Sequence, residues 1–498
     1  MIEKSKVESQ KSKEMKRFIT ISLLFSVLCV PAFAQDAKQE AKQEKKEAVK
    51  SHLKQHFKPY GFVRNYFTYD SRESWSGTAD LYNYQPKDEN WNQTPEQAAI
   101  SGVPREDLNA ISTFRFLSLT TRVGLNIVDY KWRNTEFSGT IEADFYAGLS
   151  AKTGQTHSVG GVAQFRLRHA YMTMAWDSLP MMQGKDYARV SLTIGQTWHP
   201  MAADLCDAIA LNSGAPFGPF NRSPQVKMDA RLGKYFTLTA AGLWQMQYLS
   251  IGPATKLGDD PVQSGEYMAY SKTPEAYLGL SVHDKGWLFR AGADVLSICP
   301  RHIGEVNGVK VKVNDRITTA SPFLYLQYKK DDFSFKAKTI LAEAGEHMNM
   351  DGGYGVKNVK ADGSWEYTPM RASASWVSIV YGGKIGRQEE KHPQKLQGIL
   401  FGGYVHNLGS KDPLYDVNAD GKIDKTELFY TRSFKMRQMW RLSPTLLYTV
   451  GKFQLGLEYE ITSVRYGEGA INPATGLADQ GMHWVTNHRV QLMTKYNF

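Results

Sequence analysis

The sequence predicts an all-β chain that closes into a transmembrane antiparallel β-barrel of about sixteen strands, with long external loops and short periplasmic turns. Three observations predict it. Apolar and polar residues alternate strictly through successive runs, the gaps between the runs alternate between long and short, and the last run continues to the last residue. Period-two alternation is the mark of a strand whose two faces meet different surroundings.

Residues 1–34 read as a secretory signal peptide. Lys11, Lys13, Lys16 and Arg17 precede an apolar run from Phe18 to Val30, closed by the small-residue pattern Ala32-Phe33-Ala34. Cleavage is expected after Ala34, with Met15 an alternative start, so Cys29 leaves with the signal. The remaining Cys206 and Cys299 are too few for a disulfide framework, and whether they pair stays open. No later stretch approaches the roughly 18 apolar residues that a spanning helix needs. A mature membrane form must therefore be a barrel.

Residues 35–57, QDAKQEAKQEKKEAVKSHLKQHF, are rich in helix formers and repeat the unit AKQE, but carry no sustained apolar heptad seam. They are expected to form a charged periplasmic linker or short helix, with a trimerising coiled coil as the alternative.

Residues 58–498 are expected to form the barrel. The first run, YGFVRNYFTYD, starts near Tyr60, and its facing is open because either parity turns a polar side chain, Arg64 or Asn65, outward. The second, FLSLTTRVGLNIV, sets Leu117, Leu119, Thr121, Val123, Leu125 and Ile127 against Ser118, Thr120, Arg122, Gly124 and Asn126. The third opposes Phe137, Ile141, Ala143 and Phe145 to Ser138, Thr140, Glu142 and Asp144. Long gaps are expected at 71–110, 150–161, 199–224, 250–272, 299–316, 346–371, 408–436 and 467–483. Shorter ones fall near 129–132, 178–186, 233–235, 284–286, 329–332, 383–395 and 451–452. This rhythm predicts sixteen strands, with both chain ends on the short-turn side. A barrel of roughly 16–18 strands is too wide for its side chains to fill, so an aqueous lumen is expected. In the final run, HRVQLMTKYNF, Val490, Leu492, Thr494, Tyr496 and Phe498 share one face. This last strand is expected to pair with the first.

Composition agrees. Aromatic residues at 12% with 42 Gly and 20 Pro suit many strands and turns. The net charge is +10, and residues 1–34 take six Lys or Arg and three Glu with them, which leaves about +7. That excess is an ordinary solvated surface for an exported chain, and no nucleic-acid partner is expected.

The chain resembles the general porins of Gram-negative outer membranes. The likeness rests on the signal, the sixteen alternating strands, the long loops and the terminal phenylalanine. In detail KPYGFVRNYFTYDSRES, GQTWHPMAADL, GAPFGPFNRSPQV, TLTAAGLWQMQY, SPFLYLQY and VTNHRVQLM are similar to porin-like proteins of the Bacteroides group. The resemblance implies an outer-membrane location among lipids and lipopolysaccharide, and a water-filled channel for passive diffusion of small hydrophilic solutes or ions. It also implies a homotrimer and no required cofactor. The alternative is a non-conducting barrel acting as a surface binding, adhesive or structural protein. No serine elbow, phosphate-binding glycine loop or redox CxxC occurs, and no enzyme is expected.

The third loop, WHPMAADLCDAIALNSGAPFGPFNRSPQ, corresponds by strand counting to the porin loop that folds inward and narrows the pore. Asp204, Asp207, Phe217 and Phe220 are its candidate constriction residues, although the usual motif of that loop is not visible. Polar-face charges supply candidate pore-lining residues: Arg122, Glu142, Asp144, Arg166, Arg168, Arg189, Lys227, Asp229 and Arg231. Facing charges of both signs set up a transverse field that selects solutes, whereas the blander reading is mutual pairing in a wet interior. The seventh loop contains DVNADGKIDKTE, which matches a twelve-residue calcium loop. Asp416, Asn418, Asp420, the Lys422 carbonyl, Asp424 and Glu427 would be the ligands, with Gly421 at the bend. An acidic solvated loop tip is the alternative.

Overall fold

The structure, a computed structural model, describes residues 55–77, 82–118, 120–146, 164–177, 188–208, 214–253, 262–386, 392–416, 418–423, 429–431 and 433–498. The expected signal and nearly all of the charged linker lie outside these residues. Phe57–Phe498 form one unit.

That unit is a closed antiparallel barrel of 16 strands. In chain order they are β1 (Phe57–Asp70), β2 (Thr113–Leu117 continued by Arg122–Trp132), β3 (Thr135–Tyr146), β4 (Gln164–Trp176), β5 (Ala188–Trp198) and β6 (Arg222–Leu232). Next come β7 (Phe236–Leu243), β8 (Glu275–Asp284), β9 (Trp287–Val306), β10 (Val309–Lys330) and β11 (Phe333–Glu343). The last are β12 (Trp365–Tyr381), β13 (Gln394–Ser410), β14 (Met436–Val450), β15 (Phe453–Asn472) and β16 (Leu477–Asn497). Each strand pairs with its sequence neighbours, and β1 pairs with β16 from Phe62 opposite Asn497 to Asp70 opposite Arg489. Closure leaves no unpaired edge, which a sheet in hydrocarbon cannot tolerate.

The polarity of the strands is inverted relative to a water-soluble sandwich. Along β15, Leu455, Leu457 and Tyr459 are exposed, whereas Glu458, Glu460 and Thr462, of the opposite parity, are buried. On β16, Val490 and Tyr496 are exposed while Arg489 and Gln491 are buried. An apolar outer face around a polar interior is the pattern of a barrel whose outer solvent is lipid. The facing of β1 is resolved too: Tyr66, Thr68 and Asp70 are buried inside, and Val63 and Tyr69 are exposed outside.

Two expected long gaps are corrected outright, and a third, 346–371, holds the strand Gly353–Val359 paired with the start of β12. Residues 299–316 and 467–483 are mostly strand, because β9 runs for 20 residues and β10 for 22, turning at Asn307–Gly308, and β15 and β16 turn at 473–476. Beyond the hydrocarbon band there is no lipid to demand apolar outward positions. Alternation therefore fades while the hydrogen-bonded ladder continues.

Candidate functional site

The described parts of the connection between β5 and β6, residues 199–208 and 214–221, turn into the barrel. Their apolar side chains find burial against the far wall. Phe217 is fully buried, with its ring 5.9 Å from Phe401 of β13, and Gly403 leaves room for it, since a Cβ there would come within 2.5 Å of the ring. The Arg441 guanidinium of β14 lies 5.3 Å over the same ring. Strands β13 and β14 stand about half-way round the ring from β5 and β6, so the connection crosses the interior. Burying Phe217 and Met201 contributes roughly 1.5–3 kcal/mol each.

Charged tethers hold the crossing in place. Asp204 meets Arg290 of β9 at 2.6 Å and Lys338 of β11 at 3.7 Å, and the Lys338 ammonium also donates to the Met201 carbonyl. Asp207 meets Lys336 at 2.7 Å. Both acids are thus partnered by the wall beneath the connection. Phe220 is buried and packs on Trp198 with ring centroids 5.1 Å apart. Ile209 lies outside the described residues. Cys206 in this connection and Cys299 on β9 are both buried and unpaired as a disulfide.

The other half of the inner wall is charged. Asp144 receives Arg166 through two bonds of 3.0 Å, and Arg168 reaches Glu142 and Asp144, each at 2.8 Å. Arg122 lies 3.3 Å from Glu142, which also accepts from the Tyr60 hydroxyl at 2.8 Å. Period two turns these groups inward together, with Phe165, Leu167 and Ile141 exposed on the outside. Lys227 and Asp229, two apart on β6, pair locally at 2.8 Å. Arg189 lies apart from this network, exposed between Glu136 and Asp177 at 3.3 Å each, and Arg231, near the Gly233 turn, is exposed.

Sequence reasoning missed several members of this wall. Arg64 and Lys495 join the expected Arg122 around the Phe62 ring, at 4.9, 4.5 and 5.0 Å respectively. Arg222 is buried at the root of β6 over the Trp198 ring, 4.9 Å away, and its Nε and Nη1 meet no hydrogen-bond partner. Strand parity was the signal available for Lys495. For Arg222, next to a loop, parity had no run to start from.

The first connection, residues 71–112, also contributes. Arg441 donates to the Asn83 carbonyl at 2.7 Å, Tyr84 donates to the Asn349 carbonyl at 3.3 Å, and Arg72 pairs with Asp107 at 2.6 Å.

No protein-family model matches the chain, and no curated protein matches it. Solved structures do. The outer-membrane channel DcaP of Acinetobacter baumannii is similar at a TM-score of 0.53 and 16% identity, over 89% of this chain and 97% of that one. The fold is that of the outer-membrane porins. Porin-fold likeness extends to an anion-selective porin of Comamonas acidovorans (TM-score 0.44, 10% identity, 89% and 99% covered). OprB of Pseudomonas putida is a further one (TM-score 0.43, 11% identity, 91% and 97% covered). With its apolar outer face, this porin-like barrel belongs in the outer membrane of a Gram-negative bacterium. These likenesses concern fold and do not reach the Bacteroides-group resemblance.

Of the expected calcium loop, Asp416, Asn418, Asp420 and Lys422 lie among the described residues, and Asp424 and Glu427 lie outside them. Gly421 donates to Asp416 Oδ2 at 2.7 Å with φ at +79°, and Lys422 donates to Asp420 Oδ1 at 3.0 Å. Ile423 is buried and bridges to Ile471. The first half of the loop is therefore a tight turn tied to the hairpin of β15.

Proposed function

We propose that this barrel is a water-filled channel for passive diffusion of small hydrophilic solutes, with a preference for anions. One observation carries the reading. The inward connection covers the more aromatic half of the inner wall, and the uncovered half carries Arg64, Arg122, Arg166, Arg168, Arg489 and Lys495, with Arg222 buried beside them, against Asp70, Glu142, Asp144, Glu458 and Glu460. An excess of cations in a narrow passage with low-dielectric walls raises the local anion concentration and repels cations. In this reading Phe217 and Phe220 form the constriction with Asp204 and Asp207 as its tethers, while Arg189 and Arg231 add positive charge at the short-turn mouth. Lys227 and Asp229 neutralise each other. No catalysis is assigned. The test is the reversal potential of the purified protein in a planar bilayer under a potassium chloride gradient, where an anion-selective sign is expected.

A second reading has its own support. Glu458, Thr462, Asn487 and Gln491 point inward yet are almost fully buried, which a wide open lumen would not produce. That packing favours a narrow channel, or in the limit a non-conducting surface protein, and absence of conductance would select the latter.

Two further assignments rest on the sequence. A homotrimer in the membrane follows from the porin resemblance. Calcium would be held at 416–427 by Asp416, Asn418, Asp420, the Lys422 carbonyl, Asp424 and Glu427, in support of which Asp416 Oδ1 is buried and accepts no hydrogen bond. Calcium titration of the wild type and of Asp416→Ala tests it, with loss of binding expected in the variant.

A further inference from the structure

Four side chains distant in the sequence converge where the inward connection leaves the wall. His199 is the first residue after β5, Glu275 begins β8, Asp294 lies on β9, and His347 belongs to the short 3-10 turn Gly345–Met348 between β11 and β12. All four are buried, the most exposed of them at 1%. His199 Nε2 lies 2.8 Å from Glu275 Oε1 and 3.5 Å from Asp294 Oδ1. His347 Nε2 lies 3.3 Å from Glu275 Oε1 and 3.9 Å from Asp294 Oδ2.

The backbone fixes the imidazole protons. His347 Nδ1 sits 3.0 Å from the Ala344 carbonyl, which makes it the N–H donor and leaves Nε2 free to offer a lone pair. His199 Nδ1 accepts the Met201 N–H at 3.1 Å, so that ring is neutral and its Nε2–H is donated toward Glu275. Only His347 can then carry a positive charge. Two carboxylates with one imidazolium leave a buried net charge of −1, and two oxygens, Glu275 Oε2 and Asp294 Oδ1, accept no hydrogen bond. Buried, unpartnered carboxylate charge is among the costliest arrangements a fold can hold.

We propose that this cluster is a binding site for a divalent transition-metal cation of the zinc or manganese type. His347 Nε2, Glu275 and Asp294 are the ligands, and the His199 Nε2–H supports the Glu275 carboxylate. A divalent ion balances the two carboxylates with both histidines neutral. Ligand bonds of about 2.0–2.2 Å in tetrahedral array place donor atoms roughly 3.3 Å apart, close to the spacings seen here. A mixed nitrogen and oxygen donor set suits zinc or manganese better than calcium. Ala344 holding the far nitrogen of His347, and His199 holding Glu275, are the outer bonds such sites use.

The site would also join parts of the fold. Asn221 donates to the His347 carbonyl at 2.8 Å and Phe220 to the Met348 carbonyl at 2.9 Å, so the metal would rivet the β5–β6 connection and the turn after β11 to β8 and β9. The inference is independent of whether the barrel conducts.

The test uses the full mature chain, folded in detergent and stripped with a chelator. Titration with Zn2+ by calorimetry is expected to fill about one site per chain and to raise Tm with concentration. Asp294→Asn and His347→Gln, checked for the folded heat-modifiable form, are expected to lose that site, and Asp420→Asn in the loop at 416–427 to keep it. A stripped wild type that takes up no stoichiometric Zn2+ or Mn2+ overturns the proposal whether or not the variants fold. Equal Zn2+ binding by the wild type and a folded Asp294→Asn protein also overturns it.

Discussion

Phe498 donates its backbone N–H to the Gly61 carbonyl at 3.0 Å, and its ring lies against the Cα of Gly61, where an added Cβ would come within 2.4 Å of it. The terminal strand is therefore fastened on both sides, since the neighbouring Asn497 N–H is donated to the Lys452 carbonyl at 2.9 Å. The last residue belongs to the closing seam. Gly61→Val must push against both the Phe498 ring and the Arg122 carbonyl, and a cost of about 1–3 kcal/mol is expected. A lower urea midpoint by tryptophan fluorescence checks this. An unchanged midpoint would show that the seam yields freely.

The outer face makes a separate prediction. Leu457 is exposed on β15, five residues from the turn at 451–452, which puts it about 12 Å into the apolar band. Leu457→Arg should destabilise the barrel in bilayers by about 2–4 kcal/mol. Leu457→Phe should be close to neutral. Equal refolding yields of the two variants in lipid vesicles would contradict the lipid-facing assignment.

Arg168 bridges Glu142 and Asp144 while almost fully buried. Arg168→Met leaves two buried acids short of a donor, at a cost of about 3–5 kcal/mol. Because it also removes a cation from the uncovered half of the wall, the folded fraction should show a weaker anion preference in reversal potential. A stability loss with unaltered selectivity would make this network purely structural.

Loosening the inward connection should widen the channel. Asp204→Asn removes the charge that faces Arg290 and Lys338 while keeping the volume. Larger or noisier single-channel steps are expected, with the barrel itself still heat-modifiable. Steps of the same size and noise as the wild type would mean that the tether does not set the opening.

One pH dependence follows from Asp351, which is buried in the connection between β11 and β12. Burial pushes its carboxyl up to about 7; Ser433 and the Gly352 N–H oppose the rise and the Glu346 charge adds to it. The unfolded carboxyl ionises near 4. The folded state thus holds an extra proton between these values, and the associated stability is fully present below about pH 4 and lost as pH rises through 7. Asp351→Asn should gain stability relative to wild type at pH 7.5 but not at pH 4. Parallel urea midpoints across that range would refute the assignment.

Much of the barrel was legible because lipid forces a simple rule on each strand. Phe165 and Leu167 must face out, so Arg166 and Arg168 must face in, and no knowledge of neighbours is needed to say so. The rule stops at the membrane boundary, which is why the hairpin extensions around 299–316 and 467–483 read as loops. It also says nothing about partners across the lumen. Lys336 and Lys338 share the inward parity of Ile340, yet only the fold shows that they hold Asp207 and Asp204. His199 and His347 meet because two connections turn inward, and neither lies in an alternating run.

The most direct test of the central claim is single-channel recording of the refolded protein in a planar bilayer, with the reversal potential read in a potassium chloride gradient. Stable, defined steps with an anion-selective reversal potential are predicted from the arginine-rich half of the lumen. A correctly folded, heat-modifiable barrel that never conducts would contradict the channel, and a cation-selective one would contradict the role given to Arg122, Arg166, Arg168 and Arg222.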